Sequence, residues 1–166
     1  ALIEELRRRG AGGLGVIEAD LESDVDALEI KAAGVPSVEL NTRGVCHVEM
    51  GMVQMAFEAF EGLHFEWLCP AEFDTGAHVR VMLLSVPEGW DKVMKYPPMF
   101  SVVNALVITK SDYLPVNPEF DLDALKERAR ALNPALEIFV TSARTGEGVS
   151  DFAAWLDGQR SVRLAC

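Results

Sequence analysis

Short, continuous apolar segments alternate with amphipathic segments along most of the chain. Runs of four to eight apolar residues are typical of buried strands, and a 3.6-residue apolar period is typical of helices. The predicted strands are residues 14–19, 37–40, 62–65, 79–86, 105–109 and 137–141. The predicted helices are residues 25–33, 48–60, a short turn or helix at 96–100, 122–132 with Asp121 as its cap, and 149–156.

This alternation predicts an α/β fold with a doubly wound, mainly parallel sheet. The chain has 166 residues, which fits one domain at about 150 residues per domain. We therefore expect a single domain over residues 1–166. In such sheets ligands bind at the carboxyl ends of the strands, so we expect the functional residues to lie there. The first residues resemble the last turns of a helix ended by Gly10, as if the chain opened inside a larger unit.

The net charge and the cysteine content limit the classes of binding partner and the cellular compartment that we expect. The formal net charge of -11 disfavours nucleic acid and anionic membrane surfaces. No apolar run approaches the roughly 18 residues of a membrane span, and the first residues lack a signal peptide's apolar stretch. Three cysteines give no reason for a disulfide scaffold, so we expect a cytoplasmic protein.

The most specific local signal follows the buried strand at 105–109, where the sequence is Thr109-Lys110-Ser111-Asp112. An Asp carboxylate accepts two hydrogen bonds from the ring N1 and the exocyclic amine of guanine, a pair that adenine does not offer. A lysine stem packs along the base. Taken alone, this spacing is weak evidence, because it is more often that of a solvated turn.

A second loop of small residues follows the next strand, about 30 residues later, at 141–148 (TSARTGEG). Small residues allow backbone amides to approach a base oxygen closely. Two such loops after consecutive buried strands favour a guanine site over two unrelated turns.

Carboxylates cluster at the end of the first predicted strand. Asp20 stands where a single carboxylate beside a phosphate site holds Mg²⁺. The alternative is helix capping, which we assign to Asp24 and Asp26.

Cysteine and histidine form a further candidate site, since Cys46 and His47 are adjacent and Cys69 precedes a proline. Two thiolates and an imidazole suit Zn²⁺ or Ni²⁺. By themselves these residues are ambiguous, because buried free cysteine is common. His64 fits a structural role within an apolar run, and Cys166 an incidental thiol.

Taken together, the motifs resemble those of the hydrogenase nickel-incorporation GTPases, the HypB proteins, from about residue 15 to residue 156. The matching segments are GVIEADLESDVDALEIKAAGVP, NTRGVCHVEMGMV, CPAEFDTG, LLSVPEG, KYPPMF, ALVITKSDYLP and TSARTGEG. Several of them are specific to this family and are not shared by GTPases generally.

The resemblance implies a cytoplasmic GTPase with a P-loop NTPase fold of the deviant-Walker class. It also implies a homodimer that delivers nickel to the large subunit of [NiFe] hydrogenase, together with a zinc-bearing nickel-insertion accessory protein. The implied cofactors are GTP or GDP, Mg²⁺, and Ni²⁺ or Zn²⁺.

By position, the family's motifs assign roles to residues of this chain. The implied metal ligands, shared between two subunits, are Cys46, His47 and Cys69. The implied nucleotide-binding residues, with the aspartate on the Mg²⁺ side last, are Lys110, Asp112, Ser142, Ala143, Arg144 and Asp20. No residue is assigned as the catalytic base.

Two features differ from the family pattern. The glycine-rich Walker A loop, whose amides and lysine cradle phosphates, is expected before Ala1. An acidic-x-x-Gly loop precedes the metal cysteine in the family, whereas only Trp67 and Leu68 separate Glu66 from Cys69. We expect that a longer protein contains both loops and that this sequence omits them.

Two other functions stay open. A metal-binding interaction protein without GTP turnover would need the cysteines and histidine but no phosphate chemistry. A GTPase serving another nickel enzyme such as urease would share every residue assigned above.

Overall fold

The computed structural model describes residues 1–20, 30–41 and 77–164, together with residues 52, 56, 58 and 60. The described residues divide into two compact units. One contains residues 1–10 and 77–164, and the other contains residues 11–20, 30–41 and the four single positions. Within this part of the chain, no helix is both long enough and apolar enough to cross a membrane.

The regular elements follow the predicted alternation of strands and helices. In chain order they are α1 (Leu2–Arg8), β1 (Val16–Asp20), β2 (Ser37–Asn41), β3 (Val81–Ser85), α2 (Lys92–Lys95), α3 (Pro97–Val102), β4 (Ala105–Thr109), α4 (Leu122–Leu132), β5 (Glu137–Val140) and α5 (Val149–Leu164). Two 3₁₀ segments, Val86–Glu88 and Ser111–Val116, follow β3 and β4.

The larger unit is built on a three-stranded sheet in the order β3-β4-β5, with both strand pairs parallel. The register places Ile108 of β4 between Leu84 of β3 and Val140 of β5. The central strand is buried over its first four residues, which explains its continuous apolar sequence. The carboxyl ends of the three strands therefore lie along one edge of this sheet.

Alternate residues of β4 pack on opposite faces of the sheet, as the two-residue period of a strand requires. Leu106 and Ile108 belong to a buried cluster with Phe100 of α3 and Leu125 of α4. This cluster fixes α3 and α4 on one face.

The other face is covered by α5. Ala105 and Val107 pack in a second cluster with Phe152 and Leu156, and Leu2 of α1 packs against the same cluster. Helices on both faces of a parallel sheet make this unit doubly wound, as predicted.

Asp121 and Asn133 stand at the two ends of α4. Asp121 Oδ1 accepts a hydrogen bond from the backbone N–H of Ala124 at 2.8 Å, so it is the predicted N-terminal cap. At the other end, Asn133 Nδ2 donates to the carbonyl of Val103 at 2.9 Å. The bond from Asn133 ties the end of α4 to the residues that precede β4.

Most of the predicted elements within the described residues are confirmed to within two or three positions, and β4 coincides with the predicted segment. The exception is the last helix, which continues to Leu164 where 149–156 was predicted. A glycine at 158 does not end it, because interior glycine costs a helix only about 1 kcal/mol. The predicted strand 62–65 and most of the predicted helices 25–33 and 48–60 lie outside the described residues.

The smaller unit contains two parallel strands, β1 and β2, paired from Val16 with Ser37 to Asp20 with Asn41. Asp20 is thus the last residue of its strand, the position from which its proposed role derives. A single domain over residues 1–166 stays a prediction.

Candidate functional site

Two loops meet at the carboxyl ends of β4 and β5. Lys110 and the 3₁₀ segment Ser111–Val116 follow β4, and residues 141–148 connect β5 to α5. The backbone N–H of Ser111 donates to the carbonyl of Thr141 at 3.0 Å. Because the strands are parallel neighbours, loops about 30 residues apart in sequence come into contact.

Lys110 has an unusual backbone conformation, with φ 59 and ψ 43 in the left-handed region. In the described part of the chain it is the one non-glycine residue with positive φ. Such conformations are uncommon for residues with a Cβ and concentrate at binding sites. The turn is closed by a hydrogen bond from Tyr113 N–H to the Lys110 carbonyl at 3.0 Å.

The Asp112 carboxylate lies where the two loops meet. Its Oδ1 accepts a hydrogen bond from Ser142 Oγ at 2.7 Å, and its Oδ2 lies 3.6 Å from an Arg144 guanidinium nitrogen. The hydrogen bond from Ser142, helped by the Arg144 charge, holds the pKa of Asp112 below its ordinary value. Asp112 is therefore ionised at neutral pH and acts as an acceptor only.

Exposure differs sharply between the two partners of Asp112. Ser142 is fully buried, whereas the Arg144 side chain is 82% exposed. Because exposed ion pairs contribute little energy, the Arg144 contact is weak and readily displaced. Ser142 therefore orients the carboxylate, and Oδ2 is the less firmly held of its two oxygens.

The 141–148 loop is held by its own backbone around Ser142. The Ser142 N–H donates to the Glu147 carbonyl at 3.0 Å, and the Ser142 carbonyl accepts from Gly146 N–H at 2.9 Å. The Ser142 hydroxyl also accepts from Thr145 N–H at 3.2 Å. Ala143 is exposed on the same loop. Its predicted role, donation of a backbone amide to a base oxygen, stays a prediction.

Gly148 allows the loop to fold back against β5. It has a φ of 66, and a Cβ at this residue would lie 2.0 Å from the carbonyl oxygen of Val140. Since real Cβ atoms do not approach backbone oxygens this closely, glycine is required at this position.

Two contributing residues escaped prediction as individual site residues. Ser111 Oγ donates to Glu147 Oε2 at 2.6 Å, and this bond is a third hydrogen bond between the two loops. Both residues belong to the motifs that signalled the site, TKSD and TGEG. Their pairing carries no sequence signal, because it spans 36 positions.

The other predicted ligands lie outside the described residues or in the smaller unit. Cys46, His47 and Cys69 lie outside the described residues, and Asp20 is placed only as the end of β1. Among residues that the structure does describe, no three His, Cys, Asp or Glu side chains are grouped to hold a metal ion. The metal site stays a prediction.

Comparison with known proteins decides the family. No family model matches the chain. A crystal structure of HypB from Helicobacter pylori in complex with nickel has a TM-score of 0.83 and 32% sequence identity, covering 96% of this chain and 80% of that one. The chain belongs to the HypB family. This confirms the predicted resemblance and the predicted α/β fold of the P-loop type.

Other HypB relatives agree with this assignment. The hydrogenase maturation factor HypB of Azotobacter chroococcum is 43% identical over 160 residues, which cover 91% of this chain and 52% of that protein. The hydrogenase/urease maturation factor HypB of Helicobacter pylori strain J99 is 34% identical over 154 residues, covering 85% of this chain and 63% of that protein. The chain thus spans about half to two thirds of the length of these relatives.

Proposed function

We propose that this protein is a GTP-hydrolysing nickel metallochaperone that acts in the maturation of [NiFe] hydrogenase. Two kinds of observation support the proposal. The chain belongs to a family whose members are named hydrogenase maturation factors, and its base-recognition loops have the chemistry that guanine requires. GTP or GDP, Mg²⁺, and nickel as the cargo are part of this proposal.

The ionised, oriented Asp112 carboxylate is the observation on which the nucleotide part rests. Ser142 fixes one oxygen, and the weakly held Arg144 leaves the other available to donors. A carboxylate presented in this way accepts from N1–H and from the exocyclic amine of guanine, whereas adenine has an unprotonated N1. Lys110 begins the same turn, so its stem is the candidate for packing along the base.

Hydrolysis is tested by phosphate release from saturating GTP, with the complete protein and Mg²⁺. We expect release that depends on protein concentration and is absent with ATP, because adenine leaves the Asp112 acceptors unpaired. A protein that binds metal but releases no phosphate would be the interaction protein without turnover. That result would contradict the enzymatic part of the proposal.

The metal part of the proposal rests on the donor set. The thiolates of Cys46 and Cys69 and the imidazole of His47 suit Ni²⁺ or Zn²⁺, and three ligands leave one position open. An open position fits a site that releases its metal or is completed by a second subunit. We therefore include a homodimer, a zinc-bearing accessory protein and the hydrogenase large subunit as proposed partners, and Asp20 as the Mg²⁺-side carboxylate.

Removing one thiolate is expected to abolish nickel binding. Addition of Ni²⁺ to the unmodified protein should produce thiolate-to-nickel charge-transfer absorption and shift sedimentation toward a dimer. Cys46→Ala and Cys69→Ala should each remove both signals, because a thiolate supplies the charge that holds the ion. Cys166→Ala is the matched control and should change neither. Normal stoichiometry in either of the first two variants would place the ligands elsewhere.

Urease maturation is a second candidate. It is favoured by one observation, the name of the Helicobacter pylori relative as a hydrogenase/urease maturation factor. Both functions use the same nucleotide and metal residues and differ in the enzyme that receives nickel.

A further inference from the structure

The Ser111–Glu147 link is a short hydrogen bond between side chains of the two loops. Ser111 Oγ donates to Glu147 Oε2 at 2.6 Å, and Ser111 is itself buried. Bonds from a hydroxyl to a carboxylate have this length when the acceptor is charged, and they are roughly twice as strong as neutral ones. Ser111 immediately precedes Asp112, so the link acts next to the base-recognition carboxylate.

Glu147 is also fixed through its backbone. Its carbonyl accepts the N–H of Ser142, and its own N–H donates to Thr145 Oγ1 at 3.3 Å. One residue thus contacts Ser142, which orients Asp112, and Ser111, which precedes Asp112. The Ser111–Glu147 link and the Ser142–Asp112 bond together form two side-chain connections between the loops.

We propose that Glu147 is a positioning residue for guanine recognition. The Ser111–Glu147 link sets the spacing of the two loops and holds the Asp112 carboxylate in register with both guanine donors. Two hydrogen bonds to one carboxylate require alignment, because such bonds weaken steeply at angles below about 120°. This inference rests on the proposed guanine-nucleotide function and adds a residue that touches neither the base nor the phosphates.

Comparison of GDP with IDP isolates the positioning role. Hypoxanthine keeps N1–H but lacks the exocyclic amine, so the ratio of the two affinities reports the second bond to Asp112. Glu147→Ala should lower the preference for GDP over IDP about tenfold, the value of one charge-assisted hydrogen bond. Binding of IDP should change less than about threefold. The measurement is calorimetry with the complete protein and the two diphosphates.

Three further variants test the mechanism, and a fourth is the control. Ser111→Ala removes the other half of the link and should match Glu147→Ala. The double variant should be no worse than either single one, because two residues that act through one bond are not additive. Glu147→Gln keeps an acceptor oxygen and should recover most of the preference. Glu119→Ala removes an exposed carboxylate of the same unit and should leave both affinities unchanged.

The outcomes separate this inference from the function on which it rests. If the unmodified protein binds GDP no better than IDP or ADP, the guanine function fails and the positioning role fails with it. If the unmodified protein discriminates and Glu147→Ala discriminates equally, only the positioning role is overturned. An equal loss of GDP and IDP binding would also overturn it, because that result indicates general loosening of the loop.

Discussion

Replacing Asp112 with asparagine is expected to lower the affinity for GDP about a thousandfold and to create a preference for XDP. The amide donates where the carboxylate accepted, so it repels one guanine donor and weakens the bond to the other. Two hydrogen bonds to a charged acceptor contribute about 1.5–3 kcal/mol each, which accounts for this factor. Xanthine has a carbonyl oxygen in place of the amine and accepts from the new amide.

Competition between labelled GDP and unlabelled XDP measures this change of nucleotide preference directly. Asp123→Asn is the matched control, because it makes the same chemical change at an exposed carboxylate in the first turn of α4. GDP binding should be unchanged in that variant. Retention of GDP affinity by Asp112→Asn, or equal binding of ADP and GDP by the unmodified protein, would remove the basis of the nucleotide proposal.

The core of the larger unit could be predicted from the sequence for a simple physical reason. A strand buried on both faces has no polar positions, and ALVIT at 105–109 shows that pattern without interruption. Likewise, Asp121 and Asn133 bracket α4, because the Asp121 side chain accepts the N–H of Ala124 and the Asn133 backbone N–H donates to the Ala129 carbonyl. Local rules such as these depend on residues within a few positions of each other.

The candidate site could be predicted only in part, because its organisation depends on contacts between residues that are distant in the sequence. The motifs located Asp112 and Ser142, but their 2.7 Å bond follows from the pairing of β4 with β5. The Ser111–Glu147 link depends on the same pairing. Hydrogen bonds between loops have no period or spacing that a single sequence displays.

Glycine substitutions in the 141–148 loop are expected to differ greatly in cost, although both glycines have positive φ. Gly146 has a φ of 82, and the position that a Cβ would take there has no neighbour within 4 Å, so alanine meets only backbone strain of about 1–2 kcal/mol. Gly148 has a φ of 66, and its Cβ would meet the Val140 carbonyl oxygen at 2.0 Å. Strain and overpacking together cost roughly 3–5 kcal/mol.

Gly148→Ala should therefore lower the melting temperature by about 10 °C, and Gly146→Ala by about 3 °C. The clash with Val140 also pushes the loop away from the end of β5, which carries Ser142 away from Asp112. We accordingly expect Gly148→Ala to weaken GDP binding at temperatures where the protein is still folded, while Gly146→Ala binds normally. Thermal unfolding and GDP titration of the two variants at about 15 °C provide the comparison. Equal effects of the two substitutions would mean that the loop does not pack against β5 as the Val140 contact requires.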